Sequence, residues 1–435
     1  MSILIKNGYI IDPYNNNEKK MNIFIENGRI SLANNAKQEE NCFVIDAENC
    51  WVVPGLIDMH THLRDPGQLH KETIETGALA AAAGGFTRIC SMPNTVPPID
   101  NTDILSYIKK KSGVINKAIV FPVGCLTVGM NGSEVSPMEK LASHGAVAFS
   151  DDGKSVKNIS VMSEALKKAA ALNKPVLVHC EDSDLAAGGV FNEGHVSKRL
   201  NLKGISCESE FSVVERDINL AAKTGVRLHI CHVSTARSVE IIRNARRINS
   251  VKDRLTAEAC PHHFSLCEDD IPSRCELLGD YKMNPPLRSR IDRDAVCEGL
   301  NDATISVIAT DHAPHAKNEK KDIKNAAFGI MGLETAVSLS VTKLIKPGIL
   351  SPMQWLKKMT SNPAGILGMD ISGIIEGSIA ELTIIDPNEE YVVQKQNFYS
   401  KSCNTPFIGH KLFGRVKYTI IGDNIAYDHK NFANK

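Results

Sequence analysis

The chain contains the stretch Trp51-Val52-Val53-Pro54-Gly55-Leu56-Ile57-Asp58-Met59-His60-Thr61-His62-Leu63-Arg64, an apolar run that ends in two closely spaced histidines. On a β-strand, residues i and i+2 point to the same face, so His60 and His62 would aim two imidazoles at one point. Neutral imidazole is the commonest metal ligand in proteins. A run that is apolar on both faces is typical of a parallel strand buried beneath helices, and functional sites lie at the carboxyl ends of such strands. The stretch therefore indicates a metal site at a strand end, against the alternative of two surface histidines.

The size and composition are ordinary for a globular enzyme. The 435 residues are 43% hydrophobic and 23% charged, and the formal net charge is zero, which removes the electrostatic argument for a nucleic-acid or anionic-membrane partner. The short basic runs Lys109-Lys110-Lys111 and Lys320-Lys321 are interpreted as solvated faces. No window approaches the ~18 apolar residues of a membrane helix, and the N-terminus lacks a signal-peptide pattern. Twelve scattered cysteines without a Cys-x-x-Cys pair favour reduced thiols and a cytoplasmic location.

The middle of the chain alternates strand and helix patterns. The helical patterns include Lys71 to Ala83, Val161 to Leu172 and Glu210 to Lys223. Alternation of this kind predicts parallel βα units, and eight units over about 310 residues fit a (β/α)8 TIM barrel with insertions. An open doubly wound sheet is the alternative, but no Gly-x-Gly-x-x-Gly follows the first strand. The predicted strands end near Asp58, Met92, Gly124, Ser150, His179, His232, His262 and Thr310.

Both ends of the chain instead show strands and turns. Met21-Asn22-Ile23-Phe24-Ile25 alternates and then meets Glu26-Asn27-Gly28, which is a hairpin signal, and the segment after residue 376 repeats this style. We therefore expect a small β domain assembled from residues 1–53 and 376–435. It would flank a catalytic barrel at residues 54–375.

Histidines and aspartates follow the predicted strands one, four, five, six and eight. A single histidine at a strand end is usually a hydrogen-bonded boundary residue, and a single aspartate before a helix is usually an N-cap. Five such coincidences at one end of a barrel are better explained as a ligand set. Six nitrogen and oxygen ligands exceed the need of one tetrahedral zinc and suit two divalent metals about 3.5–4 Å apart, with Zn²⁺ favoured. The residues are His60, His62, Asp151-Asp152, His179, His232 and Asp311.

Other histidines compete for these roles. His229 lies inside an apolar strand and is interpreted as packed, and His312 should point away because it neighbours Asp311. His262 and His263 follow strand seven. A packed role is favoured for both, with one of them lining the site as the alternative.

Taken together, the motifs resemble dihydroorotases of the amidohydrolase superfamily, in the class with an aspartate that bridges two metals. The likeness spans essentially the whole chain. The His-x-His pair marks only the superfamily, whereas the arginine, the asparagine and the Asp-His-Ala-Pro-His run are far more specific. The matching segments are Asp58-Met59-His60-Thr61-His62-Leu63-Arg64, Ser91-Met92-Pro93-Asn94-Thr95, Asp151-Asp152-Gly153, Lys282-Met283-Asn284-Pro285-Pro286-Leu287-Arg288 and Thr310-Asp311-His312-Ala313-Pro314-His315.

The resemblance implies an amidohydrolase barrel that holds two Zn²⁺ ions per subunit. His60, His62 and Asp311 would ligate one ion. His179 and His232 would ligate the other, and Asp152 would bridge them. Asp151 would then have a capping or supporting role.

The resemblance also implies a substrate site. Arg64, Asn94 and His315 would hold a substrate carboxylate, since an arginine offers it a bidentate fork. A salt bridge between Arg64 and Asp65 is the alternative for the arginine. The further substrate contacts implied are His62, Asn284, Phe328 and Gly329.

The implied activity is the reversible cyclisation of N-carbamoyl-L-aspartate to (S)-dihydroorotate in pyrimidine biosynthesis. Asp311 would be the catalytic proton shuttle, and the charged loop from Asp311 to Phe328 would either shield the site or be a mobile surface loop. A homodimer or a complex with aspartate carbamoyltransferase is the implied assembly.

Two other functions are weighed against this one. A dihydropyrimidinase, hydantoinase or allantoinase would usually bridge its metals with a carboxylated lysine on strand four, where this chain has aspartate and Lys154 lies past the glycine. A non-catalytic subunit would lose ligands, whereas all six are present. The chain departs from the family pattern at Asp65 and Ala327, where glutamate and proline are usual, which affects loop shape and not the ligands.

Overall fold

A computed structural model describes residues 2–32, 42–248, 251–273 and 275–432. Its centre is a barrel of eight parallel strands, so the predicted (β/α)8 fold is confirmed. The third strand consists of two short pieces. The strands are Leu56–Thr61, Phe86–Ser91, Ile119–Pro122 with Gly124–Cys125, Phe149–Ser150, Val176–Val178, Leu228–Ile230, Leu255–Ala259 and Val307–Ile308.

Strand eight closes the barrel against strand one. Thr61 and His312 form a parallel bridge, and the amide of His62 donates to the carbonyl of His312 at 2.8 Å. The buried carboxylate of Asp58 joins the same two strands, because it accepts the Thr310 hydroxyl at 2.6 Å and the Thr310 amide at 3.1 Å. This closure brings residues that are about 250 positions apart to one end of the barrel.

Helices follow the strands and begin and end at local signals. The helix predicted from Lys71 begins at Ile74, because the side chain of Thr73 caps it, and it ends at Gly84. The predicted helix Glu210 to Lys223 is Glu208–Thr224 and ends at Gly225, whose φ of 76° is the left-handed conformation that favours glycine. The α-helices are Ile74–Ala83, Thr102–Ser112, Met138–Ser143, Ile159–Ala171, Ser183–Ala186, His195–Arg199, Glu208–Thr224, Ala236–Ala245, Pro261–Ser265, Arg290–Asn301, Ala336–Ser340, Pro352–Met359, Ser361–Leu367 and His429–Phe432.

Two further sheets contain the strands from the chain ends. A four-stranded sheet has the order Arg29–Ser31, Ile23–Glu26, Ile3–Lys6 and Phe43–Asp46. A six-stranded sheet has the order Asn424–Asp428, Lys411–Ile421, Glu381–Val392, Trp51–Pro54, Tyr9–Asp12 and Asn17–Lys20. A short pair, Phe191–Asn192 with Gly204–Ile205, lies outside the barrel.

The six-stranded sheet joins the two chain ends. Trp51–Pro54 pairs in parallel with Tyr9–Asp12 on one side and antiparallel with Glu381–Val392 on the other. A small β domain built from both termini is therefore confirmed. Its boundaries at residues 53 and 376 stay a prediction, and its residues 1, 33–41 and 433–435 lie outside the described residues.

A partly buried ion pair connects this β domain to the barrel. Arg88 of strand two donates to both carboxylate oxygens of Glu381, at 2.9 and 2.6 Å. Such a bidentate pair restricts both side chains and sets the orientation of the sheet on the barrel. Among the described residues, no helix has the length and apolar character needed to cross a membrane.

Candidate active site

All six predicted metal ligands lie together at the carboxyl ends of the barrel strands. Their side chains come from strands one, four, five, six and eight, and each of the six residues is buried. They form two groups whose ligand atoms lie within 4.8 Å of one another. One group is His60, His62 and Asp311, and the other is Asp152, His179 and His232.

The carboxylate of Asp152 lies between the two groups. Its Oδ2 atom is 3.2 Å from His60 Nε2 and 3.3 Å from His62 Nε2. Its Oδ1 atom is 3.4 Å from His232 Nε2 and 3.6 Å from His179 Nδ1. One carboxylate oxygen thus faces each group, which is the arrangement a bridging ligand requires.

The spacing of these atoms is compatible with bound metal ions. Two ligand atoms bound about 2.0–2.1 Å from a tetrahedral ion lie about 3.4 Å apart. The distances in the cluster run from 2.9 Å between His179 Nδ1 and His232 Nε2 to the 3.6 Å of His179 and Asp152. His60 Nε2 and Asp152 Oδ1 are buried without a hydrogen-bond partner among the described residues. Buried polar atoms are rarely left unsatisfied, so the donor set fits divalent cations.

Both aspartates of the cluster are ionised. Burial raises the pKa of a carboxyl group, but the charge of His60 and the nearby imidazoles of His179 and His232 hold the pKa of Asp152 well below its usual value. Burial also raises the pKa of Asp311, but His60 and His62 have the larger, opposite effect and lower it to about 2. Two negative charges at neutral pH make the centre a favourable place for divalent cations.

Left-handed backbone occurs at three residues of this end of the barrel. The φ angles are 59° at Arg64, 34° at His232 and 49° at Asp311. Residues other than glycine adopt this region rarely, and such residues concentrate at functional sites. The turns direct these side chains inward immediately after their strands end.

Glu258 orients the imidazole of His60 and was not identified from the sequence. Its Oε1 is 2.6 Å from His60 Nδ1, and its Oε2 is 3.0 Å from His229 Nε2. A proton on Nδ1 leaves the lone pair of Nε2 directed at the cluster. Despite burial, which raises it, the pKa of Glu258 is held well below its usual range by His60 and His229. The feature of the sequence that could have indicated Glu258 is its position as a charged residue inside the predicted strand Thr256-Ala257-Glu258-Ala259.

We expect Glu258→Gln to weaken metal binding about 10- to 100-fold, because the neutral amide no longer favours the Nδ1–H form of His60. Metal affinity would be measured by competition with a chromophoric chelator. Glu334→Gln is the matched control, since that carboxyl group accepts hydrogen bonds from the backbone amides of Tyr399 and Ser400. Equal metal affinity in wild type and Glu258→Gln would contradict the orienting role.

The remaining histidines behave largely as predicted. His229 is packed, with Nδ1 2.8 Å from the Thr256 hydroxyl, and His312 turns away from the cluster toward Glu72 at 3.3 Å. His263 Nε2 lies 3.0 Å from the carbonyl of Pro285, which fits the packed interpretation. The Nε2 of His262 is buried without a partner among the described residues.

Asp151 supports the strand-four end and is absent from both ligand groups. Its Oδ1 accepts the backbone amides of Leu126 at 2.8 Å and Thr127 at 3.1 Å, and its Oδ2 accepts the Thr127 hydroxyl. This agrees with the capping role expected for it.

Arg64 and His315 meet beside the cluster. Arg64 is 8% exposed, with Nη2 3.1 Å from His315 Nε2, and its Nε donates to the carbonyl of Pro314 at 3.3 Å. The alternative salt bridge with Asp65 is not formed. Asp65 instead accepts Lys111 Nζ at 2.6 Å, so this lysine of the predicted solvated face, 34% exposed, also forms an ion pair.

The other predicted substrate contacts have the following partners. Asn94 Oδ1 is 2.8 Å from His62 Nδ1, which leaves His62 Nε2 directed at the cluster. Asn284 donates to Glu181 at 3.0 Å, and the Phe328 carbonyl is 2.8 Å from His315 Nε2. The sequence did not identify Glu181 as a neighbour of this site.

Gly329 fits where a larger residue would not. Its φ is 128°, and an added Cβ would collide with the side chain of Ala313. Its backbone can therefore lie close to the site only because it is glycine.

Solved structures with the same architecture are cyclic-amide hydrolases by name. The L-hydantoinase (dihydropyrimidinase) from Arthrobacter aurescens superposes with a TM-score of 0.84 at 26% identity, covering 98% of this chain and 96% of that chain. The dihydropyrimidinase from Brevibacillus agri has a TM-score of 0.83 at 22% identity, covering 99% and 96% of the two chains, and shows the fold alone.

Proteins compared by sequence have a higher identity to this chain than these solved structures do. A family model described as dihydro-orotase-like matches residues 50–238. A dihydroorotase of Acetivibrio thermocellus is 46% identical over 432 residues, which cover 98% of this chain and 99% of that protein. A dihydroorotase of Pelotomaculum thermopropionicum is 47% identical over 431 residues, with 98% of each chain covered. The chain therefore belongs to the dihydroorotase family.

Proposed function

We propose that the protein catalyses the reversible cyclisation of N-carbamoyl-L-aspartate to (S)-dihydroorotate and water, a step of pyrimidine biosynthesis. The observation that carries the proposal is the pairing of Arg64 with His315, 3.1 Å apart, beside a buried centre of four histidines and two aspartates. Dihydroorotate carries both a cyclic amide for such a centre and a carboxylate for the arginine.

We propose Zn²⁺ at both groups of ligands. His60, His62 and Asp311 would hold one ion, His179 and His232 the other, and Asp152 both. Divalent ions bound there would lower the pKa of water toward ~7 and polarise the amide carbonyl. The distances of Asp152 to both groups support two ions per chain.

Removing the metal is expected to abolish turnover, since the four histidines and two aspartates alone supply no equivalent polarisation. The protein would be dialysed against a chelator, analysed for metal and assayed before and after addition of Zn²⁺. Two bound ions per chain and recovery with Zn²⁺ are expected. Full activity in metal-free protein would contradict the proposed centre.

Asp311 is proposed as the proton shuttle. In the hydrolytic direction, a water oxygen bonds to the ring carbonyl carbon, and the bond from that carbon to the ring nitrogen breaks. Asp311 accepts a proton from the water and delivers it to the leaving nitrogen, so it ends the cycle as it began. Its position 3.0 Å from His62 Nε2 places it in the cluster, and its low pKa means that the carboxylate is ionised and its oxygens are unprotonated at neutral pH. Cyclisation follows the same steps in reverse.

Arg64, Asn94 and His315 are proposed to bind the substrate carboxylate. Burial lowers the pKa of Arg64 to about 10, so the guanidinium remains charged at neutral pH. Burial, together with the charge of Arg64, lowers the pKa of His315 to about 2, so its imidazole is neutral. The site thus presents one net cation to one carboxylate. His62 and Asn284, with the backbone of Phe328 and Gly329, would contact the rest of the ring.

A hydantoinase or dihydropyrimidinase activity is the second candidate, favoured by the names of the structural neighbours. Those substrates lack the carboxylate that Arg64 would bind. The deciding experiment is one assay of the metal-loaded protein with dihydroorotate, dihydrouracil and hydantoin. Turnover of dihydroorotate alone is expected, and a preference for dihydrouracil or hydantoin would overturn the proposal.

Location and assembly are also proposed. The eleven cysteines that the structure describes are all unpaired, which supports a reducing, cytoplasmic environment. A homodimer, with or without aspartate carbamoyltransferase, is the assembly that the family resemblance implies. Light scattering of the protein alone and mixed with that enzyme would measure both.

A further inference from the structure

Lys320 is buried in the loop that follows strand eight. It is 6% exposed, so the prediction of a solvated face is wrong for this residue. Its Nζ donates to the backbone carbonyls of Lys282 at 2.9 Å, Ala327 at 2.8 Å and Gly329 at 2.8 Å. An ammonium group has three protons, and each has an acceptor here.

Those carbonyls belong to two segments that carry proposed substrate contacts. Ala327 and Gly329 flank Phe328, whose carbonyl is 2.8 Å from His315 Nε2. Lys282 lies two residues before Asn284, and its carbonyl also accepts the amide of Gly329 at 3.0 Å. The ammonium therefore connects the loop after strand seven to the loop after strand eight, beside the substrate site.

Neighbouring residues hold the same loop from two other sides. The backbone of Gly279 packs directly on the Lys320 carbonyl, where any added Cβ would collide with it. Asn404, from the C-terminal segment, donates to the carbonyls of Gly329 at 3.0 Å and Ala313 at 3.3 Å. Burying an ammonium group costs free energy unless the group is fully hydrogen-bonded. A lysine buried between these two loops therefore indicates that its hydrogen bonds have a function there.

We propose that Lys320 is a positioning residue for the substrate. Its ammonium holds the backbone of residues 327–329 against Lys282, so that His315 and the Phe328 and Gly329 backbone face the substrate in one arrangement. The inference rests on the substrate-binding roles proposed above. It adds a residue that acts through the backbone and does not itself touch the substrate.

The test is Lys320→Met in the full-length, metal-loaded protein, assayed with dihydroorotate. We expect KM to rise about 10- to 100-fold, as for loss of hydrogen bonds from a charged group, while kcat falls less than about threefold. Metal content should not change. Lys320→Arg keeps a cation with several N–H donors and is expected to return KM to within about threefold of wild type.

Lys358→Met is the matched control. Lys358 is also buried, and its Nζ donates to the carbonyl of Ile305 at 2.8 Å, at the opposite end of strand eight. Its loss should lower Tm and leave KM unchanged. If Lys320→Met does the same, Lys320 only stabilises the loop and the inference is overturned.

Three further outcomes keep the test decisive. If Lys320→Met yields no folded protein, Lys320→Gln replaces it, because a neutral amide with two N–H protons cannot satisfy the three carbonyls; a folded Lys320→Gln with wild-type KM then overturns the inference. If Arg64→Met raises KM but Lys320→Met does not, only the role of Lys320 fails. If neither variant changes KM, the proposed carboxylate site itself is wrong.

Discussion

Asp311→Asn should lower kcat for dihydroorotate about 10²- to 10⁴-fold, which is the usual contribution of a general acid–base group. The amide occupies the same volume but cannot take a proton from water and pass it to the ring nitrogen. Asp311→Ala should abolish turnover altogether, because it also removes a proposed ligand beside His60 and His62. The measurement is steady-state turnover in both directions, together with metal content.

Metal content separates the two roles of Asp311. Asp311→Asn that keeps its metal and loses turnover supports a proton shuttle, whereas loss of metal in that variant supports only a ligand. Asp12→Asn is the control, since Asp12 is a buried carboxylate of the β domain that accepts Asn15 and the amide of Ile374. That control should lower stability and leave kcat unchanged. Near-normal turnover in metal-loaded Asp311→Asn would rule out the shuttle.

Arg64→Met should lower kcat/KM for dihydroorotate about 30- to several-thousand-fold, mainly through KM. This range corresponds to about 2–5 kcal/mol for removing one partner of a buried charged pair. Methionine fills a similar volume and leaves the substrate carboxylate without its cation. Metal content should stay at the wild-type value, because the hydrogen bonds of Arg64 are with His315 and Pro314 and not with the proposed ligands.

A substrate without a carboxylate sharpens this test. Any residual turnover of dihydrouracil should be unaffected or improved in Arg64→Met. The ratio of kcat/KM for dihydroorotate to kcat/KM for dihydrouracil should therefore fall. Arg88→Met is the matched control, because Arg88 is a largely buried arginine that pairs with Glu381 far from the cluster. It should lower Tm without changing KM. Loss of bound metal in Arg64→Met would indicate that Arg64 is structural instead.

Local patterns in the sequence were sufficient to predict the barrel and the residues gathered at its end. Strand periodicity placed His60 and His62 on one face, and the carboxyl-end rule for parallel strands predicted that His179, His232 and Asp311 would join them. The family resemblance added which aspartate of the Asp151-Asp152 pair would bridge. These predictions needed only spacing along single strands and one general property of the fold.

Partnerships between distant residues could not be predicted in this way. Glu258 bonds to His60 across 198 positions, and Lys111 pairs with Asp65 across 46 positions that separate a helix from a loop. Lys320 lies in a charged run that is predicted to be solvent-exposed, yet its ammonium group donates to three backbone carbonyls. Burial depends on which loops pack together, and composition alone does not contain that information.

The sequence by itself thus determined the barrel and the residues proposed as ligands, because strand patterns and spacing within single strands are local properties, and the family resemblance selected Asp152 as the proposed bridge. Only the tertiary structure decided how the ligands are oriented, which carboxylate oxygen faces which group, and what holds the substrate loops. The physical reason is that hydrogen bonds in a buried site depend on atomic positions contributed by several strands and loops. Those positions are set when strand eight closes on strand one and the two chain ends share one sheet.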